Sequence, residues 1–161
     1  MYIPFKDLVP SSRIWIFQCN RFLTFDETEK IKELAHEFVK EWTAHKQNLL
    51  GSFEIFHNLF LVLGVDESVN DASGCSIDKS VHFIKQIEGF FKVDMFNRFN
   101  VAYSINHEIK ITNVHNLIAE LKTGKDKNDV MVFNNLLNTK KEITNDWLLP
   151  IEKTWVSSFM N

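Results

Sequence analysis

The chain has 161 residues, a net charge of −3, and 45% hydrophobic against 24% charged residues. A chain of that length buries about two thirds of its unfolded surface and needs neither disulfides nor a metal to fold, so disordered, collagenous and coiled-coil classes are excluded. The slightly acidic balance argues against a nucleic-acid partner, and the longest apolar run, Leu59 to Val65, falls far short of the ~20 residues of a membrane span.

Arg13 to Gln18 predicts a first strand, rich in β-formers and introduced by Pro10-Ser11-Ser12. Thr24 and Glu27 have capping-box spacing. Behind them Ile31, Leu34, Ala35, Phe38, Val39 and Trp42 follow the helical template, with His45 extending the buried stripe at the helix end. Phe53 to Asp66 is strand-like but too long for one strand. It predicts a hairpin broken near His57-Asn58, and its second half is apolar on both faces, as in a central strand.

A polar loop from Asp66 to Ser73 leads to a second helix from about Ser76 to Phe91, with Ile77, Val81, Ile84, Ile87 and Phe91 inward. Asn97 to Tyr103 and Glu108 to Thr112 predict a hairpin around Asn106-His107. His115 to Lys122 is a short helix stopped by Gly124. Asn128 or Asp129 starts a further helix reaching about Trp147, although Val130 to Phe133 reads equally as a strand. After Pro150 an extended tail is expected, anchored by Trp155 and Phe159. The fold class that follows is a single-domain α+β protein, with a mostly antiparallel sheet of about five strands and helices packed on it. The lysines at 122, 125 and 127 and at 140 and 141 are expected on a solvated surface.

Nothing in Met1 to Asp7 resembles a signal peptide. The expectation is a soluble, cytoplasmic protein without a membrane partner, in which Cys19 and Cys75 are free thiols. Fifteen phenylalanines are the material of an aromatic core, and no cofactor is needed to explain them.

The segment that joins the apolar strand to the second helix carries the most chemistry. Ser73-Gly74-Cys75-Ser76 falls at a helix N-terminus, where free N–H groups and the helix dipole favour an anion or a thiolate; Lys79 adds a positive charge. Cys75 is therefore a candidate nucleophile, or else a small hydrophobe behind an ordinary cap. His82 sits about 10 Å from it along the helix, too far to be its base, and its natural partner is Asp78. A base has to come from elsewhere, from His45 or His57, with Asp66 to orient it; Asp66 and Glu67 serve equally to end the strand. Asn97 and Arg98 are candidate substrate clamps. No CxxC, HxxxH or HxH spacing calls for a metal, and GxSxG, GxGxxG and GxxxxGK[ST] are all missing.

The opening Met1 to Leu8, the strand Ser12 to Trp15, Trp42-Thr43-Ala44-His45, Val65-Asp66-Glu67 and Ala72 to Asp78 together resemble one family. So do Phe83-Ile84-Lys85, Phe96-Asn97-Arg98 and the tail from Thr139-Lys140 through Trp147, Pro150 and Trp155. It is a family of short, uncharacterised bacterial proteins, many of which carry an automatic label of ABC transporter ATPase. The resemblance spans essentially the whole chain and brings no activity with it. The ATPase label needs a phosphate loop, whereas Gly124-Lys125 here is followed by Asp126. In relatives the histidine matching His45 tends to be followed by glycine; Lys46 here weakens the case for a tight turn.

Two functions remain open on the sequence alone. One is a non-catalytic interaction domain, with the aromatic tail around Trp147 and Trp155 forming a homodimer or partner surface. The other is a small enzyme or anion-binding protein centred on Cys75, with His45, Asp66, Ser73, Gly74, Ser76, Asp78, Asn97 and Arg98 around it, suited to acyl or phosphoryl substrates.

Overall fold

The computed structural model describes residues 1–124 and 126–161; Lys125, in one of the basic clusters, lies outside the described residues. The chain begins with β1 (Arg13–Gln18) and α1 (Phe25–Glu41), followed by a minimal hairpin of β2 (Thr43–Ala44) and β3 (Gln47–Asn48). Next come β4 (Gly51–Phe56), β5 (Phe60–Val65) and α2 (Gly74–Phe91). β1, β5 and β4 form one antiparallel sheet in that order. Its central strand β5 is buried along its whole length, which is why both of its faces are apolar.

The second half comprises β6 (Asn100–Ile105), β7 (Glu108–Asn113), α3 (Val114–Lys122), β8 (Met131–Phe133), α4 (Glu142–Asn145) and β9 (Leu148–Pro150). Its sheet runs in the order β7-β6-β8-β9 and is also antiparallel. The architecture is α+β, with two sheets and a minimal hairpin in place of one sheet of about five strands. A large core joins the first sheet to α1 and α2. A smaller one gathers β6, β8, α3 and the C-terminal tail. Among the described residues no helix is long and apolar enough to cross a membrane.

Four differences from the sequence expectations have physical causes. α1 stops at Glu41, because Trp42 takes an extended conformation (φ −69°, ψ 123°) that lets its indole drop into the core. His45 therefore continues no buried stripe. It is exposed in the β2–β3 turn, where His45 and Lys46 both have positive φ (49° and 66°), the pattern of the tight hairpin turn. The turn forms despite the missing glycine.

The buried face of α2 runs through Ser76, Ser80, Phe83, Ile84 and Ile87, with Ile77, Val81 and Phe91 only half-buried. Two serines fit the core because their hydroxyls donate back to their own helix, Ser76 to the Ser73 carbonyl at 2.7 Å and Ser80 to that of Ile77 at 2.6 Å.

No long helix spans the residues before Trp147. Of the two readings the strand holds: β8 sits between β6 and β9, and Asn134 ends it by donating its N–H to the Trp147 carbonyl.

The tail is coiled into 3-10 turns at Ile151–Lys153 and Trp155–Phe159 instead of being extended. Its anchors are the buried Ile151 and Val156, with Trp155 and Phe159 edge-on at 5.7 Å above them. Trp147 is buried against Phe56, Phe60 and Phe133, so it presents no partner surface.

Candidate functional site

Ser73 caps α2. Its hydroxyl accepts from the Ser76 N–H at 3.2 Å, and the Ser76 hydroxyl accepts from the Ser73 N–H at 2.7 Å. Serine thus fills the place that glutamate or glutamine takes in the usual capping box. Gly74 and Cys75 occupy the first helical turn, and Cys75 is solvent-exposed.

Beside Cys75 a shallow groove of about 530 Å³ runs between α1 and α2. Its floor is aromatic: Phe38 stacks on Phe83 at 4.5 Å with the ring planes 3° apart, and Trp42 leans on Phe38 at 5.1 Å. Asp78, Lys79 and His82 share its rim with Cys75. The Lys79 ammonium donates to the Thr43 hydroxyl at 2.8 Å, which fixes β2 to α2. Asp78 and His82 do not bond to each other among the described residues, so the expected stabilising pair is not made.

The other members of the expected constellation are elsewhere. His45 lines a separate depression of about 300 Å³ together with Glu67, Asn70 and Asp71. Asp66 is buried, and its Oδ1 accepts from the Ser68 N–H at 3.0 Å and the Ser68 hydroxyl at 2.6 Å. The Glu67 carboxylate accepts from the Ala72 N–H at 3.1 Å and lies 3.5 Å from Arg13. Both acids hold the 66–73 loop in shape. His57 stands in the β4–β5 turn with φ 56°, its ring 5.7 Å from that of Phe133. Burial pushes its basicity below that of an ordinary histidine.

Asn97 accepts from the Phe99 N–H at 3.0 Å, and Arg98 is exposed beside it. Both follow the C-terminal end of α2, whereas Cys75 begins it, about 24 Å away along the axis at 1.5 Å per residue. The fold therefore assembles Cys75, Asp78, Lys79 and His82 around one groove and leaves Asn97 and Arg98 at the opposite end of the helix. Among the described residues no three histidine, cysteine or acidic side chains are grouped to hold a metal ion.

That opposite end carries a feature absent from the sequence expectations. Phe25 is 76% exposed, Phe90 72% and Phe22 45%. Arg21 ties together the segments that carry them. Its guanidinium meets both oxygens of Glu27 at 2.8 Å each and donates to the Phe91 carbonyl at 2.7 Å, tying the start of α1 to the end of α2. Spacing alone does not give it: Phe90 falls three residues after Ile87 and seven after Phe83, in register with the buried α2 stripe, yet it is exposed. No family model, curated protein or solved structure matches this chain.

Proposed function

We propose that this is a non-catalytic interaction domain of the cytoplasm, whose working surface is the aromatic end of the α1–α2 pair. The observation that carries the reading is the exposure of Phe22, Phe25 and Phe90 on two helix ends clamped by Arg21. Burying a phenylalanine stabilises a fold by about 1.5–3 kcal/mol. Three left in water on the segments that Arg21 ties together forgo that gain, and an exposed apolar patch marks a surface that meets a partner. The partner that fits is a protein presenting an apolar, aromatic-accepting face, with its own acidic or basic side chains meeting the Arg21–Glu27 pair at the rim. Site-specific photocrosslinking in cells tests this. A crosslinker at position 25 should give a discrete adduct that Phe90→Ser abolishes, and one at exposed Glu33 should give none. Equal adducts from both positions, or an adduct indifferent to Phe90→Ser, would overturn the reading.

A second reading, a Cys75-centred site for an acyl or phosphoryl group, is favoured by the exposure of Cys75 on a groove rim next to Lys79. Against it stands the dispersal of the other candidate residues. Turnover of activated acyl or phosphoryl esters that vanishes in Cys75→Ala, with the fold intact by circular dichroism, would establish it in place of the first.

A further inference from the structure

Sheet edges offer unpaired N–H and C=O groups to other chains, and proteins cover or blunt them. This fold does so at three edges. Along β4, the Gly51 N–H donates to the Met1 carbonyl at 2.9 Å, and the Gly51 carbonyl accepts from the Ile3 N–H at 3.0 Å. Further along the same strand the Ile55 N–H is taken by the Glu54 carboxylate at 3.1 Å. On β1, Ile14 donates to the Asn138 carbonyl at 2.9 Å. β9 is three residues long and ends on Pro150, which has no N–H.

β7 is left open. The bond from the Val114 N–H to the Phe99 carbonyl (2.8 Å) sets the phase of the β6–β7 ladder. Glu108, Lys110 and Thr112 turn their main-chain groups toward β6, and Ile109 and Ile111 turn theirs outward. Among the described residues nothing pairs with those outward groups.

We infer that β7 pairs antiparallel with β7 of a second copy of this chain, about a two-fold axis at Ile109. Opposed residues in such a pair share a face, so only a few registers are open, and charge selects among them. Glu108 and Lys110 lie on one face, their charged ends 3.9 Å apart. With the axis at Ile109, each Glu108 stands opposite Lys110 of the second copy. An axis at Lys110 opposes two lysines. An axis at Ile111 opposes lysine to Thr112 and drives each 106–107 turn onto the start of the other copy's α3. The pairing joins two four-stranded sheets into one of eight strands. It shares no residue with the aromatic end and stands independently of it.

Sedimentation of the full chain from about 10 μM to about 1 mM spans the affinity of so small an interface. The wild type should show a monomer–dimer equilibrium. Lys110→Glu, which sets glutamates opposite each other twice, should weaken it about tenfold or more. Adding Glu108→Lys to that variant should restore it, and Phe25→Ser with Phe90→Ser should leave it unchanged. A wild type that is monomeric throughout overturns the inference. So does a Lys110→Glu variant that dimerises like the wild type, a charge swap that does not rescue, or dimerisation abolished by the two phenylalanine changes. Circular dichroism on each variant excludes unfolding as the cause.

Discussion

The indole N–H of Trp42 donates to the backbone carbonyl of Ser76 at 2.8 Å, with both residues buried. That bond joins the end of α1 to the first turn of α2 and fixes the groove floor. Trp42→Phe keeps an aromatic ring against Phe38 and Trp15 but removes the donor. It should cost about 1 kcal/mol in urea unfolding, against about 3–5 kcal/mol for Trp42→Ala. Equal losses for both would mean that the hydrogen bond, not the ring, carries the stability.

The two cysteines should differ sharply in the folded protein. Cys19 is fully buried, and burial pushes its thiol up to about 12, while Cys75 is exposed. A thiol probe should therefore label a single site, Cys75, under native conditions, with the second label appearing only on unfolding. Native labelling of Cys19 at a comparable rate would contradict the packing described here.

Acid should loosen the α1–α2 clamp. The Arg21 guanidinium, aided by the Thr24 N–H, holds the Glu27 carboxyl at about 2, well below its ordinary 4.5. The folded state thus favours the ionised form. The stabilisation is complete above about pH 4.5 and is lost as pH falls through about 2. Because the pair is partly exposed, screening limits the effect to about 1 kcal/mol or less. Urea midpoints measured from about pH 5 down to about pH 2 should fall less steeply in Glu27→Gln than in the wild type. Parallel curves would place the acid sensitivity elsewhere, for example at Glu142, whose carboxyl is also lowered by bonds from Thr139 and Asn138.

Two backbone positions give opposite expectations. At Lys46, where φ is 66°, glycine relieves left-handed strain, and Lys46→Gly should raise stability by about 1 kcal/mol. At Gly51 a Cβ would stand 2.9 Å from Val39 Cγ1 and 3.4 Å from the Trp42 ring. Val39 is stiff and Trp42 is pinned, so Gly51→Ala should lower stability by about 1–3 kcal/mol. Gly64→Ala should lower it as well, because its Cβ would stand 2.7 Å from Cδ2 of the buried Leu8. Thermal melts of the three variants check these directions, and a stabilising Gly51→Ala would refute the packing at the α1–β4 contact.

Local signals were legible in the sequence wherever a segment's own residues decide its conformation. Arg13 to Gln18 reads as a strand, and Thr24 with Glu27 as a cap. Asn106-His107 is a hairpin turn because asparagine and histidine tolerate positive φ. The same tolerance explains the turn at His57-Asn58. What stayed hidden depends on distant contacts. α1 ends where Ser76, 34 residues away, captures Trp42. Ser76 and Ser80 are core residues because their own helix satisfies their hydroxyls, which no hydropathy pattern records. At the candidate site, the placement of Cys75 at a helix N-terminus was readable from Ser73-Gly74-Cys75-Ser76. The separation of Asn97 and Arg98 from it was fixed by the length of α2 itself. The exposure of Phe22, Phe25 and Phe90 became visible only once α1 and α2 were laid side by side.

The most direct test of the interaction reading compares the native mass of the protein in cell extracts for three forms: wild type, Phe25→Ser with Phe90→Ser, and Cys75→Ala. A complex heavier than the protein alone is expected in the wild type and in Cys75→Ala, lost in the phenylalanine variant while its circular dichroism is unchanged. A complex that survives loss of both phenylalanines but disappears with Cys75 would contradict it.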